Sequence, residues 1–321
     1  MSKPHVMLVG AGASRAAFPD GEGTGRKLPV MNDLVEILDL KPILDEARIM
    51  HEGRNFEDVF SKLVSSSPQV AAVELLQSKI CSYFSSLELP PEPTLYDYLV
   101  LSMTPNDVIA TFNWDPFLVQ AAMRNRHVSS PPNLLFLHGN VAQGYCAHDS
   151  LHGVLGAICS RCGERLQTVP LLYPTGEKDY ETEPAIASAW KRVRWAFENA
   201  FWVTIFGYSA PKTDRAAVEL LKAAWGGWQK RSLEQFEFID IRDEDSLVES
   251  WAGFVNPGQH HYDFHSDFFN SWLARHPRRS HQAYWDQYME AEFIDDNLPP
   301  RAHTLPELWS WYQQLVAEES K

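Results

Sequence analysis

Five short apolar runs, at 5–9, 107–112, 133–137, 201–206 and 236–241, constrain this chain more than any other feature. They are short, predominantly apolar and bounded by glycine or polar residues, so they read as buried parallel strands. Segments with helical periodicity separate most of them. Strands alternating with helices imply a Rossmann-like doubly wound parallel sheet with right-handed crossovers, an α/β fold. In such a sheet the ligand sits beyond the carboxyl ends of the strands. Each run stops there at glycine or a polar residue, in the segments 10–14, 113–115, 138–139, 207–209 and 240–242. That recurrence points to one shared site.

The rest of the chain is arranged around this alternation. The glycine- and proline-rich stretch 15–29 reads as a loop over a ligand site. Apolar residues recur at helical spacing over 31–40 and 56–87, and the proline-rich LPPEPTL at 89–95 follows. This predicts a helical insertion over 41–90. Further helices are expected over 96–103, 116–123, 184–200 and 213–225. A glycine-rich, cysteine-bearing excursion over 141–168 interrupts the pattern. Beyond 245 the sequence turns helical and aromatic, with Trp272, Tyr284, Tyr288, Trp309, Trp311 and Tyr312 available to pack a C-terminal helical lobe over 246–321.

Charge and composition exclude some functions. The net charge of −14 opposes nonspecific binding to nucleic acid. The small cluster Lys191, Arg192 and Arg194 reads as a solvated helix face. No apolar run reaches the roughly 20 residues a membrane span needs, so no membrane partner is expected. The start, MSKPHVMLVG, reads as a first strand and not as a signal peptide. Four cysteines without a targeting segment suit a reducing cytoplasm, where paired cysteines suggest metal before disulfide.

Each strand-end motif allows two readings. In VGAGAS at 9–14 the glycines allow a tight turn and close approach to a phosphate, or only the turn. Arg15 stands where the dinucleotide fingerprint GxGxxG has its third glycine, which argues against dehydrogenase chemistry. In TFNWD at 111–115, Asn113 and Asp115 can hold sugar hydroxyls and a water, or cap the next helix ahead of Pro116. In LHGN at 137–140, His138 can serve as a general base or as a hydrogen-bonded structural residue. In IFGYSAPKTD at 205–214, Gly207 and Ser209 can donate to a phosphate, and Thr213 can cap the following helix.

The ordered set GAGAS, TFNWD, LHG, CSRCGE and GYS…D resembles the sirtuin (silent information regulator two) family. The similarity is to its bacterial antiphage-defence branch, where NFEDVFSKL at 55–63 also finds a counterpart. It spans roughly residues 5 to 245 and implies an NAD-binding domain over 1–245. Gly10, Ala11, Gly12 and Ser14 would hold the pyrophosphate, and Asn113 and Asp115 would sit by the nicotinamide ribose. His138 would be the general base. Gly207, Tyr208 and Ser209 would line the phosphate and ribose side, with Asp240, Ile241 and Arg242 near the adenosine end. Sirtuins follow the glycine turn with a GIPDFR-like segment. Here Phe18, Pro19 and Asp20 echo it without the arginine.

Cys159 and Cys162 form a CxxC knuckle followed by Gly163, half of a common structural zinc site. With Cys146 and His148 they could complete a tetrahedron for Zn2+, and His152 is the rival fourth ligand. Cys81 falls on an apolar helix face and is expected in the core. His260, His261 and His265 are expected at a loop and helix edge.

The resemblance makes NAD a substrate. Breaking its nicotinamide–ribose bond builds an oxocarbenium-like sugar, as in glycoside hydrolysis. Water as acceptor gives an NAD hydrolase held off by a regulatory partner or a homo-oligomer. An acyl-lysine oxygen gives a deacylase, with YPTGEKD at 173–179 where sirtuins pair with the peptide. A non-catalytic sensor of NAD or ADP-ribose is the third reading.

Overall fold

The computed structural model describes residues 3–65, 69–174, 179–210, 214–226, 231, 234–254 and 261–319. The strands are β1 (His5–Val9), β2 (Val108–Thr111), β3 (Asn133–Phe136), β4 (Gln143–Cys146), β5 (Leu151–Val154), β6 (Gln167–Thr168), β7 (Trp202–Phe206), β8 (Gln235–Ile239) and β9 (Tyr262–His265). Six of them form one sheet in the order β3-β2-β1-β7-β8-β9, and every neighbouring pair is parallel. Counted among themselves, these six run 3-2-1-4-5-6, the Rossmann order. The crossover direction reverses between β1 and β7, which opens a crevice above their carboxyl ends. The remaining three strands form a small antiparallel sheet, β5-β4-β6.

β1 shows why the sheet is buried on both sides. Val6 and Leu8 pack into one apolar layer, and Met7 and Val9 pack into the other. Each fully buried side chain of this kind contributes about 1.5–3 kcal/mol. The first layer is completed by α8 (Pro184–Asn199), α9 (Arg215–Trp225) and α10 (Glu244–Ser250). The second lies under α1 (Ala11–Ala17), α2 (Leu34–Ile37), α3 (Lys41–Glu46), α4 (Phe56–Ser65), α5 (Val70–Ser85), α6 (Leu95–Ser102) and α7 (Phe117–Asn125). The expected insertion is therefore helical. Within 31–40, however, only the single turn α2 forms.

The lobe after 245 begins differently from the expectation. Tyr262–His265 is not a loop or helix edge but a sixth parallel strand on β8. Its side chains alternate, with Tyr262 and Phe264 apolar and Asp263 and His265 polar, as suits an edge strand half in contact with solvent. The main sheet thus continues past the boundary expected at 245. Among the described residues, α11 (Trp272–Arg275), α12 (Ser280–Met289) and α13 (Leu305–Glu319) make the helical lobe. Trp272 joins it to the sheet by stacking on Trp202 at 5.4 Å between ring centroids. Lys191, Arg192 and Arg194 are exposed on α8, as expected. Cys81 is exposed and does not enter the core. Among the described residues no helix is long and apolar enough to cross a membrane.

Candidate functional site

The crevice at the switch point is a cleft of about 610 Å³, within the range of small-molecule sites. Its floor is the turn between β1 and α1. A side chain at Gly10 would lie 2.6 Å from the Gly207 carbonyl oxygen, and one at Gly12 would lie 2.8 Å from it. Gly207 itself has φ +61°, and a Cβ there would meet the Ala13 nitrogen at 2.2 Å. These glycines are required because two strand-end backbones touch: the Gly12 amide donates to the Gly207 carbonyl at 2.9 Å. Arg15, in place of the third glycine, reaches outward to Asp33 at 2.9 Å.

Ser14 lines the same cleft and is the hub of a buried polar group. Its hydroxyl donates to Asp115 Oδ2 at 2.7 Å and accepts from Asn113 Nδ2 at 2.9 Å. The Tyr96 hydroxyl lies 2.6 Å from Ser14 Oγ and, because the Ser14 proton goes to Asp115, acts as donor. One donor and two acceptor sites are then all in use. Asn113 also donates to the Gly10 carbonyl at 3.0 Å, which spends both of its amide protons and leaves Oδ1 to accept from a ligand. Asn140 ties the backbone of Asn113 and Asp115 together through Nδ2 bonds of 3.2 and 2.5 Å. Burial pushes the Asp115 carboxyl up to about 6 despite the Ser14 bond. Asp115 also accepts from the Phe117 amide at 3.4 Å, so it serves the start of α7 as well as the cleft.

His138 follows β3 and is buried at the cleft wall. Phe112 meets its ring edge-on at 4.8 Å, and Tyr180 stacks on it at 6.0 Å and 4°. Its Nε2 lies 3.9 Å from Asp214 Oδ1. Gly139 turns at φ +73°, where a Cβ would sit 2.4 Å from the Pro170 oxygen. Tyr208 is buried and stacked on Phe112 at 4.2 Å, whereas Ser209 is exposed. At the far lip Arg242 pairs with Asp240 at 2.9 Å, and Ile241 is 93% exposed. The helical insertion supplies the opposite wall through Asn55, Glu57 and Phe84.

The structure therefore brings together at one cleft residues from all five strand-end segments, among them Gly10, Ala11, Gly12, Ser14, Asn113, Asp115, His138, Gly207, Tyr208, Ser209, Asp240, Ile241 and Arg242. Thr213 and residues 175–178 of the YPTGEKD segment lie outside the described residues, as does His260. Tyr96, Glu57 and Asp214 were missed as site residues. Tyr96 and Glu57 sit in helical patterns that read as packing. Asp214 closes the GYS…D motif, but the sequence gives it no role of its own.

In the small antiparallel module, Cys146, Asp149, Cys159 and Cys162 offer ligand atoms all within 4.8 Å of one another. Asp149, not His148 or His152, completes the group. His148 is exposed, and its Nδ1 lies 3.1 Å from Asp149 Oδ1. His152 is turned away and bonds Gln143 at 2.9 Å. β4 runs antiparallel to β5, so the turn between them folds the chain back and carries Asp149 over Cys146. Three thiolates and a carboxylate are a donor set that suits Zn2+. The module's separate apolar cluster is small, Cys146, Cys159 and Leu166 with Leu151 against it. Such burial supplies on the order of 5 kcal/mol. Ordering the segment costs about 1–2 kcal/mol per residue. A metal staple makes up that kind of deficit.

No protein-family model matches the chain, and no curated protein matches it significantly. Solved structures do. One is a Sir2 homologue in complex with NAD, at 14% identity and TM-score 0.37, covering 82% of this chain and 83% of that one. A second is a Sir2 bound to an acetylated peptide, at 11% identity and TM-score 0.37, covering 82% and 87%. A third is a Sir2 with an inhibitor, 2′-O-acetyl-ADP-ribose and a deacetylated peptide, at 12% identity and TM-score 0.39, covering 82% and 88%.

Proposed function

We propose that this chain is an NAD-consuming enzyme that breaks the nicotinamide–ribose bond and passes the ADP-ribosyl group to water. The observation that carries this reading is the meeting of Asn113, Asp115 and His138 at the switch-point crevice, above the paired glycine turns. Asn113 Oδ1 would orient the nicotinamide ribose or the attacking water. Its amide is held rigidly by Gly10 and Ser14, and such fixed geometry lowers the barrier. Nicotinamide leaves with the bonding electron pair, the water oxygen bonds to the anomeric carbon, and His138 takes the water proton. The 207–209 and 240–242 segments would hold the diphosphate and adenosine side. Zn2+ at Cys146, Asp149, Cys159 and Cys162 would be structural.

Water is favoured over acyl-lysine by the state of the segment a peptide would pair with. Tyr173 stacks on Phe60 at 5.0 Å and its hydroxyl donates to the Gln77 carbonyl at 3.2 Å. The Pro174 carbonyl accepts from Ser61 at 3.1 Å, and the Leu172 amide donates to the His138 carbonyl at 2.8 Å. The insertion thus already packs on Tyr173 and Pro174, where that segment begins. The sequence resemblance supports a role as an effector of bacterial antiphage defence in the cytoplasm, restrained by a regulatory partner or by self-assembly.

Incubation with NAD alone, following nicotinamide, tests the reading. Wild-type protein releases nicotinamide, and His138→Ala and Asn113→Ala each slow release by about 10²-fold or more. Turnover that requires an acylated peptide selects the deacylase instead. Binding of NAD without turnover in any assembly state selects the sensor.

A further inference from the structure

We infer that Asp214 is a positioning residue that fixes the orientation and tautomer of His138, and that the Tyr208 hydroxyl holds Asp214 in turn. The inference deepens the NAD-cleaving reading and rests on it for the consequence in turnover. Asp214 is the N-cap of α9, yet its carboxylate makes no capping hydrogen bond. An aspartate at that position ordinarily accepts from an amide of the first turn. Here it turns into the protein and is buried. Its Oδ2 accepts from the Tyr208 hydroxyl at 3.1 Å, and its Oδ1 faces His138 Nε2 at 3.9 Å.

The aromatic surroundings restrict the alternatives. Phe112 sits edge-on to His138 and stacks face-to-face with Tyr208, so one ring supports both partners of Asp214. Tyr180 covers the His138 ring from the parallel side. A neutral imidazole carries one N–H and one lone pair, and the partner of one nitrogen sets the role of the other. A carboxylate beside Nε2 draws the proton there and leaves Nδ1 as the accepting nitrogen. The separation of 3.9 Å exceeds a hydrogen bond. A movement of about 1 Å closes it, and catalytic bonds of this kind commonly tighten only when substrate binds.

The test reads the tautomer directly in the full-length protein. Long-range proton–nitrogen spectra of 15N-labelled protein without ligand should show His138 protonated at Nε2, with the signal assigned by its loss in His138→Ala. In Asp214→Asn an amide N–H can face the ring, which reverses the preference. The expected result is loss of the Nε2–H signature. With it, kcat for nicotinamide release falls about tenfold or more, while KM stays within about twofold. Asp214→Glu should recover part of both. Tyr208→Phe preserves the stack on Phe112 and should move both readouts the same way by less. An unchanged Nε2–H signature in Asp214→Asn overturns the inference, as does a reversed tautomer with unaltered kcat. A wild type that releases no nicotinamide overturns the NAD reading alone, since the spectra decide the tautomer without turnover.

Discussion

Two buried histidines of this fold, His5 and His138, differ in how much of their surroundings the protein closes. His5 opens β1 and is enclosed. Its Nε2 lies 2.8 Å from Thr204, and its Nδ1 lies 2.8 Å from Ser280. Thr204 gives its own proton to Glu237 at 2.9 Å, so His5 must donate from Nε2 and accept at Nδ1. Burial lowers its pKa, which keeps the ring neutral. Glu237 also accepts from the Trp272 amide and pairs with His265 at 3.3 Å. This cluster spans β1, β7, β8 and β9 and ties the helical lobe to the sheet. His138 has a comparable aromatic and carboxylate setting, but it lines a cleft and its carboxylate stands 3.9 Å away. The closed cluster spends its polar atoms on stability, and the open one leaves some to a ligand.

That contrast can be broken from either side. The largest effect is expected in the closed cluster. Glu237→Ala leaves His265, Thr204 and the Trp272 amide without their acceptor and should cost about 3–5 kcal/mol, read from urea unfolding. Nicotinamide release per folded molecule should hold. Burial works against protonation of His265, but the Glu237 hydrogen bond and charge raise its pKa overall. The pair's contribution is therefore complete below about 6.5, the unfolded-state histidine value, and fades as pH rises through the raised folded value. A Glu237→Ala protein as stable as wild type would remove the distinction.

Asp115 should show the same direction of pH dependence in a lower window. Burial pushes its carboxyl up to about 6 in the fold from an ordinary value of 3.8, so the folded state binds the proton more tightly. Stability from this group is complete below about 4 and is lost as pH rises through about 6, by roughly 3 kcal/mol. Unfolding midpoints of wild type and Asp115→Asn compared at pH 4 and pH 7.5 should differ by that slope. Parallel pH profiles would show that the cleft carboxyl is no more strained than one in water.

The smallest effect concerns the cysteine module, which lies between the two cases because its polar atoms are grouped so that they could hold a metal. Asp149→Ala should weaken zinc retention about tenfold or more, measured by competition with a chelator. His148→Ala, which removes only a partner of Asp149, should weaken it less. Equal losses would return His148 to the ligand set.

Much of this was legible in the residues. The apolar runs ending in glycine or polar groups gave the parallel sheet, its helical cover and the edge on which the site lies, because their shortness, their bounding residues and the helical segments between them together mark buried strands. The paired glycines were legible too, although their reason was not. They admit each other's backbone across β1 and β7, a contact some 200 positions apart in the chain. The edge strand at Tyr262–His265 escaped because alternation over four residues is a weak signal beside an aromatic, helical lobe.

What the sequence alone determined is the strand–helix rhythm and the strand-end segments that face the switch point. Both follow from local periodicity and from where each strand stops. Tertiary structure alone decided the partners: Tyr96 on Ser14, Asp214 beside His138, Asp149 in place of His148, and Glu237 shared by three elements. Hydrogen-bond geometry acts over about 3 Å in space, and no spacing along the chain encodes it.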